Sequence, residues 1–168
     1  MYQYAPAEIY CGQPQLKVGY RQQNAALLQF ALSSIPGDAT VTRATLQLYA
    51  AGWGGADITL GAYAVRRDVT ICQANWNQAR VGNPWAQPGC NDTVTDRREL
   101  PESTVKTAGI GQWYSLDLTA LVQAWLNGSV ANNGVLLRAD YSNATFYLAS
   151  AEAATTNLRP RLIVTYHR

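Results

Sequence analysis

Apolar residues alternate with polar ones through most of this chain. In ATLQLYA, Ala44, Leu46, Leu48 and Ala50 fall on one face and Thr45, Gln47 and Tyr49 on the other. ITLGAYAV repeats the pattern, with Ile58, Leu60, Ala62 and Ala64 inward and Thr59 and Tyr63 outward. ALLQFAL offers Leu28, Phe30 and Leu32; GVLLRAD offers Val135, Leu137 and Ala139; TFYLAS offers Phe146 and Leu148. RLIVTYHR closes the chain with Leu162, Val164 and Tyr166. The turn signals IPGDAT, GWGGAD, NGSVANNG and DYSNA separate these runs. Period two with one apolar face predicts strands covered on one side, the pattern of an antiparallel β-sandwich.

One stretch breaks the period. In SLDLTALVQAWLNG, Leu118, Leu121, Val122, Trp125 and Leu126 make a single apolar stripe at helical spacing. Asp117 or Thr119 can cap its start and Gly128 suits its end. A helix over 115–128 is therefore expected, closing one open end of the sandwich with Trp125 as its largest plug. Between Arg66 and Trp113 no period holds, and a loop of this length in a compact domain is usually functional or pinned.

The whole chain, residues 1–168, reads as one domain, large enough to bury roughly 70% of its unfolded surface. Only 14% of residues are charged, against a usual value of about 25%, so solubility rests on amides and hydroxyls. A net charge of +2 gives no case for nucleic acid. No apolar run is long enough to insert in a membrane and no signal segment opens the chain. Cys11, Cys72 and Cys90 contain no C-x-x-C pair, which argues against zinc. Cys72 and Cys90 flank a loop rich in Asn, Pro, Gly and Trp, and a Cys72–Cys90 disulfide is expected there, worth about 3 kcal/mol. Cys11 is then an unpaired thiol or an intermolecular link.

The order of these signals resembles the DNRLRE-type domain of bacterial and archaeal extracellular proteins. LKVGY, ALLQFALSSIP, ATVTRATLQLY, ANWNQ, WYSLDLTALVQAW, NNGVLLR, FYLAS and RPRLIVTY follow one another as in that pattern, over nearly the whole chain. An Arg and an Asp of the pattern are replaced by Gln29 and Ala31, which removes any contact they would make. The chain opens at MYQYAP, where the family has a fuller first strand, so that strand is expected to be shortened and part of a sheet edge unpaired. The resemblance implies a jelly-roll-like all-β sandwich in a secreted or cell-surface protein. It also implies company with polysaccharide-degrading enzymes, and a related family recognises the acidic polysaccharide alginate.

The residues themselves offer little catalytic chemistry. His167 is the only histidine and is next to last, so no Ser-His-Asp set forms around it. Asp92, Asp96, Glu99 and Glu102 read as a solvated loop balanced by Arg97 and Arg98. No cofactor is required; calcium is a candidate through Asp57, Asp92 and Asp96, although neither loop has a calcium-loop spacing. Sugar binding needs aromatic platforms and polar donors, and five Trp and ten Tyr against two Phe favour rings suited to wet surfaces. Trp53 and Trp85 are the expected exposed tryptophans, whereas Trp76 and Trp113 read as packing residues. Lys17, Tyr49, Tyr63, Arg138 and Tyr147 are expected to form one polar aromatic strip, with Arg21, Arg66 and Arg67 adding positive charge. Two readings of function stay open. One is a non-catalytic module that binds a polysaccharide; the other is a structural subunit that pairs strands with copies of itself.

Overall fold

A computed structural model describes all residues, 1–168. Eleven strands and one helix run in the order β1 (Gln15–Gly19), β2 (Ala26–Leu28), β3 (Thr40–Gly54), β4 (Thr59–Ala64), β5 (Gln78–Arg80), β6 (Asn83–Pro84), β7 (Ser103–Lys106), β8 (Trp113–Asp117), α1 (Thr119–Leu126), β9 (Val135–Ala139), β10 (Thr145–Ala149) and β11 (Arg161–His167). All pairing is antiparallel, in a sheet of β1-β10-β3-β11 with β8 also on β3, a sheet of β2-β9-β4-β7, and the small β5-β6 pair. The predicted sandwich is the observed fold.

The long strand β3 is the spine of the larger sheet. It takes β11 along Thr40–Gln47, β8 along Thr45–Tyr49 and β10 along Ala50–Gly54. Its inward residues Ala44, Leu46, Leu48 and Ala50 are fully buried, as the alternation predicts. They meet Leu60, Ala62, Val135 and Leu137 of the other sheet and Phe146 and Leu148 of β10 in one core. Each fully buried Leu or Phe there contributes about 2 kcal/mol.

The predicted helix is shorter than its apolar stripe. Ser115, Leu116 and Asp117 belong to β8, and α1 begins only at Thr119. Leu116 and Leu118 satisfy period two as well as the helical period, and pairing with β3 decides between them. The N-cap is Leu118, and the expected side-chain cap from Asp117 or Thr119 is not formed; Asp117 Oδ1 accepts the Thr119 N–H at 2.8 Å in the turn between β8 and α1. Leu121, Val122 and Trp125 face the core, and Gln123 Oε1 accepts the Val41 N–H at 2.7 Å, fixing the helix over the start of β3. ALLQFAL is also less regular than expected, being strand only over Ala26–Leu28, with Phe30 and Leu32 packed against the core from irregular backbone.

The loop from Arg66 to Gln112 is pinned, though not by the expected disulfide. The bridge joins Cys11 to Cys72, whose Cα atoms are 5.0 Å apart, and Cys90 is a buried free thiol. The physical reason is direction. Cys72 lies on an exposed turn of 3-10 helix, Ile71–Gln73, within reach of the N-terminal segment. Cys90 points into a second apolar cluster with Trp85, Ala79, Val65, Val69 and Leu136, its S–H directed at the Asp96 carbonyl. That cluster covers the outer face of the smaller sheet, so β9 is buried on both faces. The continuous apolar run of Val135, Leu136 and Leu137 was the sequence sign of it.

Candidate functional site

Because the long loop covers the smaller sheet, the larger sheet holds the open face. Outward side chains follow from the register. Lys17 pairs with Tyr147, Tyr147 with Gly52, Tyr49 with Trp113, and Arg161 and Ser115 flank Gln47. At one end, Tyr49 and Trp113 meet edge to face with centroids 5.5 Å apart, and the Arg161 guanidinium lies 4.1 Å from the Trp113 ring centre. At the other, the Lys17 ammonium stands 5.2 Å from the ring centre of Tyr2 and 6.0 Å from that of Tyr147. Tyr147 lies beside Gly52, where an added Cβ would stand 3.7 Å from the ring. Tyr49 and Gly52 are three residues apart on β3, so the two aromatic patches are about 10 Å apart along the strand.

The electrostatics of this face are one-sided. Arg43, Lys17 and Arg161 point outward, and Asp117 is the only carboxylate at an outward position of these strands. Asp117 is occupied: hydrogen bonds from the Thr119 hydroxyl and N–H hold its carboxyl below the usual range. Gln15, Gln47, Thr45 and Ser115 add neutral donors and acceptors.

Of the residues expected to form one strip, the structure brings Lys17, Tyr49 and Tyr147 together and sets Tyr63 and Arg138 on the other sheet. There the loop covers them. Arg97 lies 4.7 Å from the Tyr63 ring centre, and Arg138 hydrogen-bonds Asn91 and Gln22. Burial, with the Arg97 charge adding, lowers the Arg138 pKa. Trp85 is a correction: it is 4% exposed, and its indole N–H donates to the Asn75 carbonyl at 2.9 Å. Trp53 is exposed, but its register partner is the inward Phe146, so it stands at the sandwich rim rather than on the outer face. Arg21 belongs to the turn after β1 and binds Asn143 at 2.8 Å; Arg66 reaches the Val94 carbonyl on the loop. Arg67 is bound to Asp96 at 2.7 Å.

The carboxylates considered for calcium do not gather, and no group of three acidic, His or Cys side chains does. Asp57 accepts the Thr107 hydroxyl and the Gly109 N–H, and Asp92 accepts the N–H groups of Val94 and Thr95. Asp96 is fully buried and accepts the N–H groups of Ala86, Gln87 and Asp92 as well as Arg67. Each of these carboxylates organises a turn.

Sequence reasoning missed Trp113, Arg161 and Tyr2. Trp113, Ser115 and Asp117 do alternate with Tyr114 and Leu116, a signal cut short by the helical reading from Ser115 onward, which left Trp113 as a packing residue. An open sheet face with two aromatic patches, cations laid against them and amides between is chemistry suited to sugar rings, whose C–H faces stack on aromatics while their hydroxyls and acids take polar donors. No curated protein matches the chain. The DNRLRE-type resemblance implied a module of this kind; the family that does match, over residues 3–166, is carbohydrate-binding module family 96, and the chain belongs to it.

Proposed function

We propose that this chain is a non-catalytic module that holds an extended acidic polysaccharide on the outer face of its larger sheet. It would keep a secreted or surface protein on that ligand. The observation that carries this reading is the pairing of cations with rings on one face, Arg161 on Trp113 and Lys17 on Tyr147 and Tyr2, with Asp117 the lone outward carboxylate. A ring stacked on each aromatic patch would present its carboxylate to the neighbouring cation, and the spacing along β3 lets one chain cross both patches. The Cys11–Cys72 bridge fits an oxidising compartment and so supports an extracellular setting.

Affinity electrophoresis and calorimetry against alginate and a neutral β-glucan test the proposal. Trp113→Ala and Tyr147→Ala should each weaken alginate binding about tenfold or more, equivalent to about 1.4 kcal/mol. Arg161→Gln and Lys17→Gln should weaken it and flatten its salt dependence, while Trp53→Ala leaves it unchanged. Binding that survives the Trp113→Ala, Tyr147→Ala double variant would remove the face from consideration. Equal affinity for the neutral polymer would remove the acidic preference.

A further inference from the structure

We infer that Asn127, at the end of α1, is a modification site where the chain converts its own side-chain amide to an acid through the following glycine, with water as the only co-reactant. Asn-Gly occurs twice, at Asn127–Gly128 and at Asn133–Gly134. Both pairs carry the same reacting groups, a carboxamide and a backbone nitrogen whose own residue has no Cβ to hinder it. The fold treats the two pairs in opposite ways.

Asn127 is the C-cap of α1, and Gly128 takes the left-handed backbone that ends the helix, with φ +73°. Asn127, Gly128 and Ser129 are all exposed, and nothing lies within 4 Å of where a Cβ on Gly128 would stand. Asn127 Oδ1 accepts the Ser129 N–H at 3.0 Å, which folds the carboxamide back over the Asn127–Gly128 peptide bond. Its Nδ2 donates to no group of the chain, and the Gly128 N–H makes only a long bond, 3.3 Å, to the Trp125 carbonyl. Asn133 is held shut instead. Its Nδ2 donates to the Arg66 carbonyl at 2.8 Å, and the Gly134 N–H donates to Asn132 Oδ1 at 3.3 Å. The Leu28 carbonyl packs so closely on Gly134 that the peptide has no room to turn.

The chemistry needs no further reagent. The Gly128 nitrogen, its proton lost to hydroxide, attacks Asn127 Cγ. The N–Cγ bond forms, the Cγ–Nδ2 bond breaks, and Nδ2 leaves as ammonia with a proton from water. Negative charge passes through Oδ1 on the way, where the Ser129 N–H already stands as a donor. Water then opens the cyclic imide. Cleavage at Cγ gives aspartate, and cleavage at the backbone carbonyl carbon of residue 127 gives isoaspartate; nothing is oxidised or reduced. Either product sets a carboxylate at the negative end of the helix dipole, where the last turn holds no basic side chain, and lowers the net charge of +2 by one. Isoaspartate also adds a carbon to the backbone of the turn. That displaces the bonds from Gly128 to Trp125 and from Val130 to Ala124, which tie the departing chain to the helix.

The test incubates the full folded chain in mildly alkaline buffer, digests it under acid conditions and reads each Asn-Gly peptide by mass spectrometry, with fragmentation that separates aspartate from isoaspartate. The expected result is conversion at Asn127 about tenfold or more faster than at Asn133, with isoaspartate and aspartate both formed. The same chain held unfolded in urea should convert the two at similar rates, which assigns the selectivity to the fold. The converted chain should melt about 2 °C lower than the fresh one, and Asn127→Asp, which supplies the charge without the extra carbon, should reproduce part of that loss. Equal rates at the two residues of the folded chain would overturn the proposal. So would an Asn127 that stays intact when folded and converts only in urea, which would make the helix cap a protecting turn. No outcome involves Trp113 or Tyr147, so the result is independent of the sheet face.

Discussion

Cys90 holds its thiol where water does not reach, in a left-handed backbone turn among Trp85, Val65 and Ala79. Burial above all, with the Asp96 charge adding, pushes its pKa far above the ordinary thiol range. The sign of the consequence follows from linkage. An unfolded thiol ionises near pH 8.5 while the folded one stays protonated, so stability is unaffected below that pH and falls above it. The slope is at most about 1.4 kcal/mol per pH unit. Urea unfolding at pH 7 and pH 10 should show the native chain losing about 2 kcal/mol more than Cys90→Ala over that interval. The native thiol should also resist alkylation until the chain unfolds.

At the scale of elements, the loop over the smaller sheet depends on one buried carboxylate. Asp96 gathers N–H groups from Ala86, Gln87 and Asp92, and binds Arg67, so four donors from three parts of the loop converge on one side chain. Asp96→Asn keeps the volume but turns an acceptor into a donor facing other donors, and removes the partner of Arg67. Breaking a buried pair in this way costs about 3 kcal/mol, a loss that urea denaturation would measure. Alginate affinity of the folded variant should not change, because the sheet face belongs to the other layer. The helix works on the same principle at smaller cost: Gln123 and Thr119 serve the free N–H groups of Val41 and Ala44 and lock α1 to β3.

For the whole molecule, the Cys11–Cys72 bridge joins the N-terminal segment to the loop across a separation of 61 residues. A closed loop of that length restricts the unfolded chain by about 4 kcal/mol in the entropy model. The double variant Cys11→Ser, Cys72→Ser should therefore melt about 10 °C lower than the native chain, as calorimetry would show. Non-reducing peptide mapping should recover Cys11 with Cys72 and leave Cys90 alone.

The sandwich was legible because its cause is local. Alternation at Ala44–Ala50 and Ile58–Ala64 can bury its apolar set on one face only, whatever the partner sheet is. Lys17, Tyr49 and Tyr147 were legible as outward residues by the same rule. What lay above an outward face was not. Tyr63 and Arg138 alternate as correctly as Tyr49 does, yet the loop folds over them, and Trp85 goes with it into the second cluster. The cysteine pairing failed for a related reason, since proximity along the chain says little about which side of a sheet a thiol meets. By itself the sequence determined which residues point in and which point out, because a pleated strand permits two directions. Only the tertiary structure decided which outward face stays open, because covering a sheet depends on segments distant in the chain and on which of them can bury enough apolar surface to stay there.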